Sequence, residues 1–458
     1  MTASLYIHIP FCAGLCDYCD FYSVAVNEHQ NALMDSFIDT ALGDVKYQFA
    51  FFGVDYVPTV YIGGGTPSVL GAALIERLLA GLRVLLEPMK KTPVEFTIEA
   101  NPESADEDFL RACVSGGVSR ISLGVQTFHE PSRRAVHRAG GGKLLEERLA
   151  LAAEYFPGAL SVDLITGLPF QTATVVREDI EHVLAFQPAH VSLYSLTLEP
   201  ETPLGKRVTQ EEFSTTEVTE FHGNQITAPQ QGALTDKCDT LPRIINPQDT
   251  LMPAGFIQPS ARRRKEDFCI KTPCNSVVNS YLPCGDEADD LWITGRDMLE
   301  KAGLAQYEVS NFALPDKTCA HNIRYWRMEN WLGAGPAASG TIIDDTAGIG
   351  RRFTYPADIN AYLAAPEPRI RSAGIEELDK SNLIRESLLM GFRCRAGPDQ
   401  MIFKQRFGCG IEDCIPETIA RWRGRGFFET REGGSLAPSR EGLLFLNAFL
   451  RDAFGEAG

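Results

Sequence analysis

The chain has 458 residues, 44% hydrophobic and 22% charged, which suits a large soluble domain with one or two smaller ones. With 43 Lys+Arg against 60 Asp+Glu its formal charge is −17 at pH 7, and that balance argues against a nucleic-acid-binding face. No apolar run reaches the length of a membrane span, and "MTASLYIHIP" has neither a basic region nor an apolar one to mark it for export, so a cytoplasmic protein is expected.

In the cytoplasm thiols stay reduced, so the 12 cysteines read as metal ligands or core residues, not as a disulfide framework. In chain order, strands are predicted at 4–10, 59–65, 95–101, 120–126, 160–166 and 190–196, with amphipathic stretches such as 68–86 between them. This alternation predicts βα units on a parallel sheet. Six units are too few for an eight-fold barrel and enough for an open, partial (β/α)6 one. In parallel β/α folds the site lies at the C-terminal ends of the strands. Cys12, Cys16 and Cys19 follow the first candidate, "GGGTPS" (63–68) the second, and Glu99 and Asn101 close the third. Gln126 ends the fourth, and Asp163 and Thr166 end the fifth. Polar groups from five strand ends are thus expected on one rim.

The thiols are spaced C-x3-C-x2-C. A loop this tight can wrap one corner of an iron–sulfur cube and ligate three irons, leaving the fourth open. Zinc is the rival reading, but it wants four closed ligands, and no fourth Cys or His stands at zinc spacing. Gly63 to Gly65 let backbone approach a small molecule closely. Glu99, Gln126, Arg138 and Asp163 offer groups for an amine, a carboxylate and ribose hydroxyls, although Glu99 and Arg138 could also form a surface salt bridge.

"CAGLCDYC", flanked in order by "YIHIPFC", "GGGTPS", "EANP", "RISLGVQ", "DLITGLP" and "SLYSLTLEP", resembles the radical S-adenosylmethionine (SAM) enzymes of the oxygen-independent coproporphyrinogen III oxidase family. The resemblance covers 4 to about 207 and resumes at about 285. It implies a [4Fe–4S] cluster on Cys12, Cys16 and Cys19, with SAM chelating the open iron and a reduced electron donor as partner. It also implies that Tyr6, Tyr18, Gly64, Gly65, Thr66, Glu99, Gln126, Arg138, Asp163 and Thr197 surround SAM.

Two departures from the oxidase place the chain closer to the heme chaperone branch. Phe21 stands where the oxidase has a further cysteine, and the first strand begins at residue 4 without the oxidase's N-terminal extension. That branch implies heme or porphyrin as ligand, heme-accepting proteins as partners and, as one option, a homodimer. His321 in "HNIRYW" is then a candidate axial heme ligand, or a histidine merely hydrogen-bonded nearby. Tyr325 and Trp326 would stack on a porphyrin or join the core. Ser339 stands where the branch usually has a histidine.

The rest divides into a continuation of the barrel domain (285–371) and a small helical, winged-helix-like domain (372–458) expected to pack over the rim. Residues 208–284 form an insertion with little periodicity. It reads as a surface excursion, as a partner or membrane-surface element using "ARRRK" (261–265), or as a stretch translated out of frame. The irregular spacing of Cys238, Cys269, Cys274 and Cys284 speaks against a second metal site.

Overall fold

Period-two alternation builds the barrel wall. The structure, a computed structural model, describes residues 1–26, 30–209, 281–283, 285–367, 369–431 and 435–457. The insertion therefore lies almost wholly outside the described residues. Strand β1 (Ser4–Ile9) turns Leu5, Ile7 and Ile9 towards the helices and Tyr6 and His8 to the opposite face. β2 (Phe11–Cys12) and β3 (Val24–Ala25) form a two-residue parallel ladder that brackets the cysteine loop.

β4 (Thr59–Gly64), β5 (Glu95–Ala100), β6 (Arg120–Gln126), β7 (Leu160–Thr166) and β8 (His190–Ser195) repeat the alternation. Val60, Ile62, Ile98, Ile121, Leu123, Val162, Leu164, Val191 and Leu193 are buried on the helix side. With β1, these strands pair in parallel and in chain order. Every strand predicted from the sequence is present, with ends within one residue of those expected.

The crossovers are α1 (Asn31–Phe52), α2 (Gly71–Leu86), α3 (Glu107–Ser115), α4 (Glu130–Ala135) with α5 (Gly142–Tyr155), and α6 (Ala173–Ala185). In α2, Ile75, Leu78, Leu79 and Leu82 make one buried stripe at helical spacing. Side chains cap two N-termini, with Asp106 accepting from Phe109 N and Thr172 from Val175 N.

The sheet continues past the six expected strands to twelve. Beyond β8 lie β10 (Asn311–Ala313) and β9 (Ala305–Gln306), both antiparallel. Beyond β1, β11 (Trp331–Ala334) is parallel, and β12 (Ser339–Asp344), β13 (Ile349–Thr354) and β14 (Gly374–Leu378) continue antiparallel. The barrel stays open, and its floor is closed by the helix Ala320–Trp326. Glu95, at the start of β5, accepts from Ala320 N (3.0 Å) and His321 N (2.9 Å) of that helix.

Since β14 belongs to the sheet, the C-terminal unit begins at the helix Lys380–Gly391 and not at 372. It contains three further helices up to Gly424, the hairpin β15 (Phe428–Thr430)–β16 (Leu436–Pro438), and the helix Leu446–Glu456. Gly433 and Gly434, between these two strands in the chain, lie outside the described residues. The unit has its own apolar cluster, which also takes in Val309, Met328 and Ile343. That seam docks it beside the floor helix and not over the rim, which corrects the expectation from sequence. Among the described residues no helix is long and apolar enough to cross a membrane.

Phe449 is fully buried, with ring centroids 4.8 Å from Phe392 and 4.3 Å from Phe428. Phe449→Ala should cost about 3–5 kcal/mol. The check is a lower denaturant midpoint for the C-terminal unit, followed by Trp422 fluorescence in a variant lacking the other tryptophans.

Candidate cluster and cofactor site

Register brings the polar residues of the strands into layers. Tyr6 pairs with Tyr61, Tyr61 with Thr97 and Thr97 with Arg120. Above them Glu99 pairs with Ser122, Gly124 with Asp163 and Asp163 with Ser192. The strand ends carry the cysteine loop.

Both ends of that loop are tied down. His8 is fully buried, and burial lowers its pKa to about 4, so the ring is neutral. Its Nε2 lies 2.8 Å from the Tyr22 carbonyl and must carry the proton; Nδ1 then accepts from Tyr6 Oη at 3.0 Å. Asp17 meets His137 Nδ1 at 2.7 Å and the Arg207 guanidinium. Tyr22 Oη accepts from Ile359 N at 2.7 Å.

The thiols themselves are joined by a polar chain. Arg138 Nη1 lies 3.5 Å from Cys16 Sγ, and its Nη2 donates to Asn101 Oδ1 at 2.8 Å. Asn101 Nδ2 donates to Thr66 Oγ1 (3.0 Å), which donates to Cys12 Sγ (3.4 Å). Arg138 is brought here by Arg133, whose fully buried guanidinium donates to Val125 O, Thr127 O and Gly140 O at 2.7–3.0 Å. Arg138 Nε is buried and has no partner among the described residues.

The glycines leave no room for side chains. A Cβ at Gly65 would sit 2.7 Å from Phe11 O and 3.1 Å from Cys12 Sγ. At Gly64, where φ is +109°, it would meet the His8 ring at 2.5 Å. Gln126 holds φ +69° at a register shift in β6, a strained non-glycine position at the rim.

Two acids face this lumen. Glu99 accepts from Tyr61 Oη (2.6 Å) and Gly64 N (3.1 Å), and burial, with help from the Asp163 charge, raises its pKa to about 7. Asp163 accepts from Ser122 Oγ at 3.0 and 3.1 Å, and burial raises its pKa too. Neither Glu99 nor Arg138 makes the surface salt bridge that the sequence left open; both serve the lumen.

Tyr18 packs with Val136, Ile165, Leu168 and Leu204 at the edge of the rim, and Thr197 is buried just past β8. Ser339 is fully buried in β12, against Gly333 of β11.

His321 stands apart. It is 1% exposed, its Nδ1 lies 2.8 Å from Thr59 Oγ1 at the start of β4, and Tyr61 and Tyr325 flank its ring at 5.1 and 5.0 Å. It belongs to the barrel floor, roughly 20 Å (one six-residue strand) from the rim. Nδ1 is thus hydrogen-bonded, while Nε2 is buried with no partner among the described residues.

Sequence reading missed Tyr61 and Arg133, and it noted Asn101 without a role. Tyr61 could have been found from the alternation Thr59–Tyr61–Gly63. Arg133 carries no local signal.

The donor set fits a cluster. Burial pushes the Cys12 thiol up and the Cys19 thiol to about 12, and neighbouring thiols add to both. Thiolates there need a cation to hold them.

The Radical SAM superfamily matches residues 6–185. The coproporphyrinogen III oxidase HemN of Escherichia coli, a radical SAM enzyme, superimposes with a TM-score of 0.70 at 20% identity, covering 99% of this chain and 90% of that one. The fold is that of a radical SAM protein. Heme chaperone HemW of Lactococcus lactis is 31% identical over 418 residues, covering 91% of this chain and 88% of the relative. HemW of Bacillus subtilis is 26% identical over 99% of each. The chain belongs to the HemW heme chaperone family.

Glu99 yields a pH test. Between its ordinary value of 4.5 and about 7 the folded state binds more protons at this site than the unfolded state, so the site's contribution to stability falls as pH rises through that window. Glu99→Gln should therefore stabilise the cofactor-free protein at pH 8, by on the order of 1–3 kcal/mol, with little effect at pH 4.5. Urea unfolding of both proteins at the two pH values checks this; equal midpoints at pH 8 would refute it.

Proposed function

We propose that the protein carries a [4Fe–4S] cluster on Cys12, Cys16 and Cys19, binds SAM beside it, and binds heme for delivery to heme proteins. The observation that carries the first two parts is the side-chain chain from Cys16 through Arg138, Asn101 and Thr66 to Cys12, set beside glycines that no side chain could replace. When bound, the cluster supplies an electron to the sulfonium of SAM.

The protein's own groups account for the rest. Arg138 offsets thiolate charge at Cys16 and keeps Nε for a ligand oxygen. Glu99 and Asp163, two buried acids with raised pKa values, favour a cationic or hydroxyl-rich ligand between them, as an amino group, a sulfonium or a ribose would be. Tyr6, Tyr18, Gly64, Gly65, Thr66, Gln126 and Thr197 line the approach. Heme delivery rests on relatives such as those of Lactococcus lactis and Bacillus subtilis, named heme chaperones, and on Phe21 in place of the oxidase's additional cysteine. Heme-accepting proteins and a reduced electron donor are the partners this reading requires.

The test reconstitutes the cluster anaerobically and then offers heme, or coproporphyrinogen III with SAM and a reductant. Stoichiometric heme binding without protoporphyrinogen formation is expected; protoporphyrinogen would instead assign the oxidase reaction. Cys16→Ala should lose most of the iron and sulfide. A full complement in that variant would refute the cluster assignment.

A further inference from the structure

The helix Ala320–Trp326 has two working faces. His321 and Tyr325, four residues apart, turn into the barrel floor and are buried. Ile323, Trp326 and Arg327 turn the other way, into a groove of about 610 Å³ between the barrel and the C-terminal unit. Arg395, Met401 and Arg431 supply the opposite wall.

The charge of this groove runs against that of the chain. In a protein of −17 it presents three arginines and one carboxylate, Asp399. That carboxylate is already engaged, accepting from Met401 N (3.0 Å) and Ile402 N (2.9 Å). Arg431 pairs with Glu429 at 3.1 Å, but Arg327 and Arg395 make no ion pair among the described residues. Arg395 Nη1 is buried without a partner, and so is the indole Nε1 of Trp326. Buried guanidinium and indole donors left unmatched are costly unless a ligand completes them. Ile323, Trp326, Ala396 and Pro398 give the walls apolar surface beside the polar Gln306, Thr318 and Gln400, and Met401 is 82% exposed, which is unusual for an apolar side chain.

We propose that this groove seats a tetrapyrrole dicarboxylate, with Arg327 and Arg395 on its acid groups, Trp326 against its face and the Met401 thioether within reach of its iron. The volume falls within the roughly 300–1,000 Å³ of ligand sites. Arginines on both walls, with apolar side chains between them, match a flat apolar ligand that carries acid groups. Thioethers are established axial ligands of heme iron. The inference rests on the heme-carrying reading and specifies its location. It also places the ligand at the strand starts, roughly 20 Å from the cluster rim. Heme and SAM would then bind together without competing.

The test is absorbance titration of the full-length, cluster-loaded protein with heme under reducing conditions. Variants are Arg327→Gln/Arg395→Gln, Trp326→Leu and Met401→Ala, each checked for unchanged iron and sulfide content. The double variant should bind heme at least ten-fold more weakly, and Met401→Ala should shift the Soret band of reduced heme at unchanged stoichiometry. Saturating SAM should leave the wild-type affinity unchanged. Heme bound one-to-one by wild type but equally well, and with the same spectrum, by all three variants would overturn the groove while leaving the heme reading intact. No stoichiometric binding by wild type would overturn the heme reading itself. If a charge variant loses its cluster, the Met401→Ala spectrum decides alone.

Discussion

Parallel strands that follow one another in the sheet all end at the same edge, and here that constraint fixes where function can be. β1 and β4 to β8 share one direction, so their last residues meet at one rim and their first residues at one floor. Backbone pairing then aligns alternate side chains across neighbouring strands, which puts Glu99 beside Ser122 and Asp163 beside Ser192. Displace one strand by a residue and its inward set would turn to the helices, taking a ligand with it.

The rim is held by polar bonds more than by packing. The cysteine loop is held by His8, bonded to the Tyr22 carbonyl across the loop, and by Asp17 and Tyr22, each bonded to a segment distant in sequence. Arg133 does the same for the stretch that delivers Arg138, matching several carbonyls with one buried guanidinium. Such groups must be satisfied once buried, and these bonds tie the loop to the barrel at several points.

The floor behaves differently. Glu95, Thr59, His321 and Tyr325 close it with aromatic contacts and backbone bonds, and the C-terminal unit docks beside it through an apolar seam. One short helix thereby serves both a sealed barrel and an open groove. The molecule thus has a polar rim at the strand ends and, beside the floor helix, a separate groove lined by three arginines.

The six barrel strands, their order and the rim with its three cysteines were legible in the sequence, because alternation, glycine turns and metal-ligand spacing are local patterns. Local pattern also reached Glu99, Gln126, Arg138 and Asp163. It did not reach the outer six strands, several of them only two to four residues long, nor the docking of the C-terminal unit, because those depend on pairings between distant segments. Nor could it place His321 and Trp326, five residues apart in one motif, on opposite faces of the floor helix with different neighbours. By itself the sequence determined the chemistry available at the rim, because ligand type and spacing are written in adjacent residues. Only the tertiary structure decided which charges are left unpaired and where, since burial and partnership arise when segments far apart in the chain close on one another.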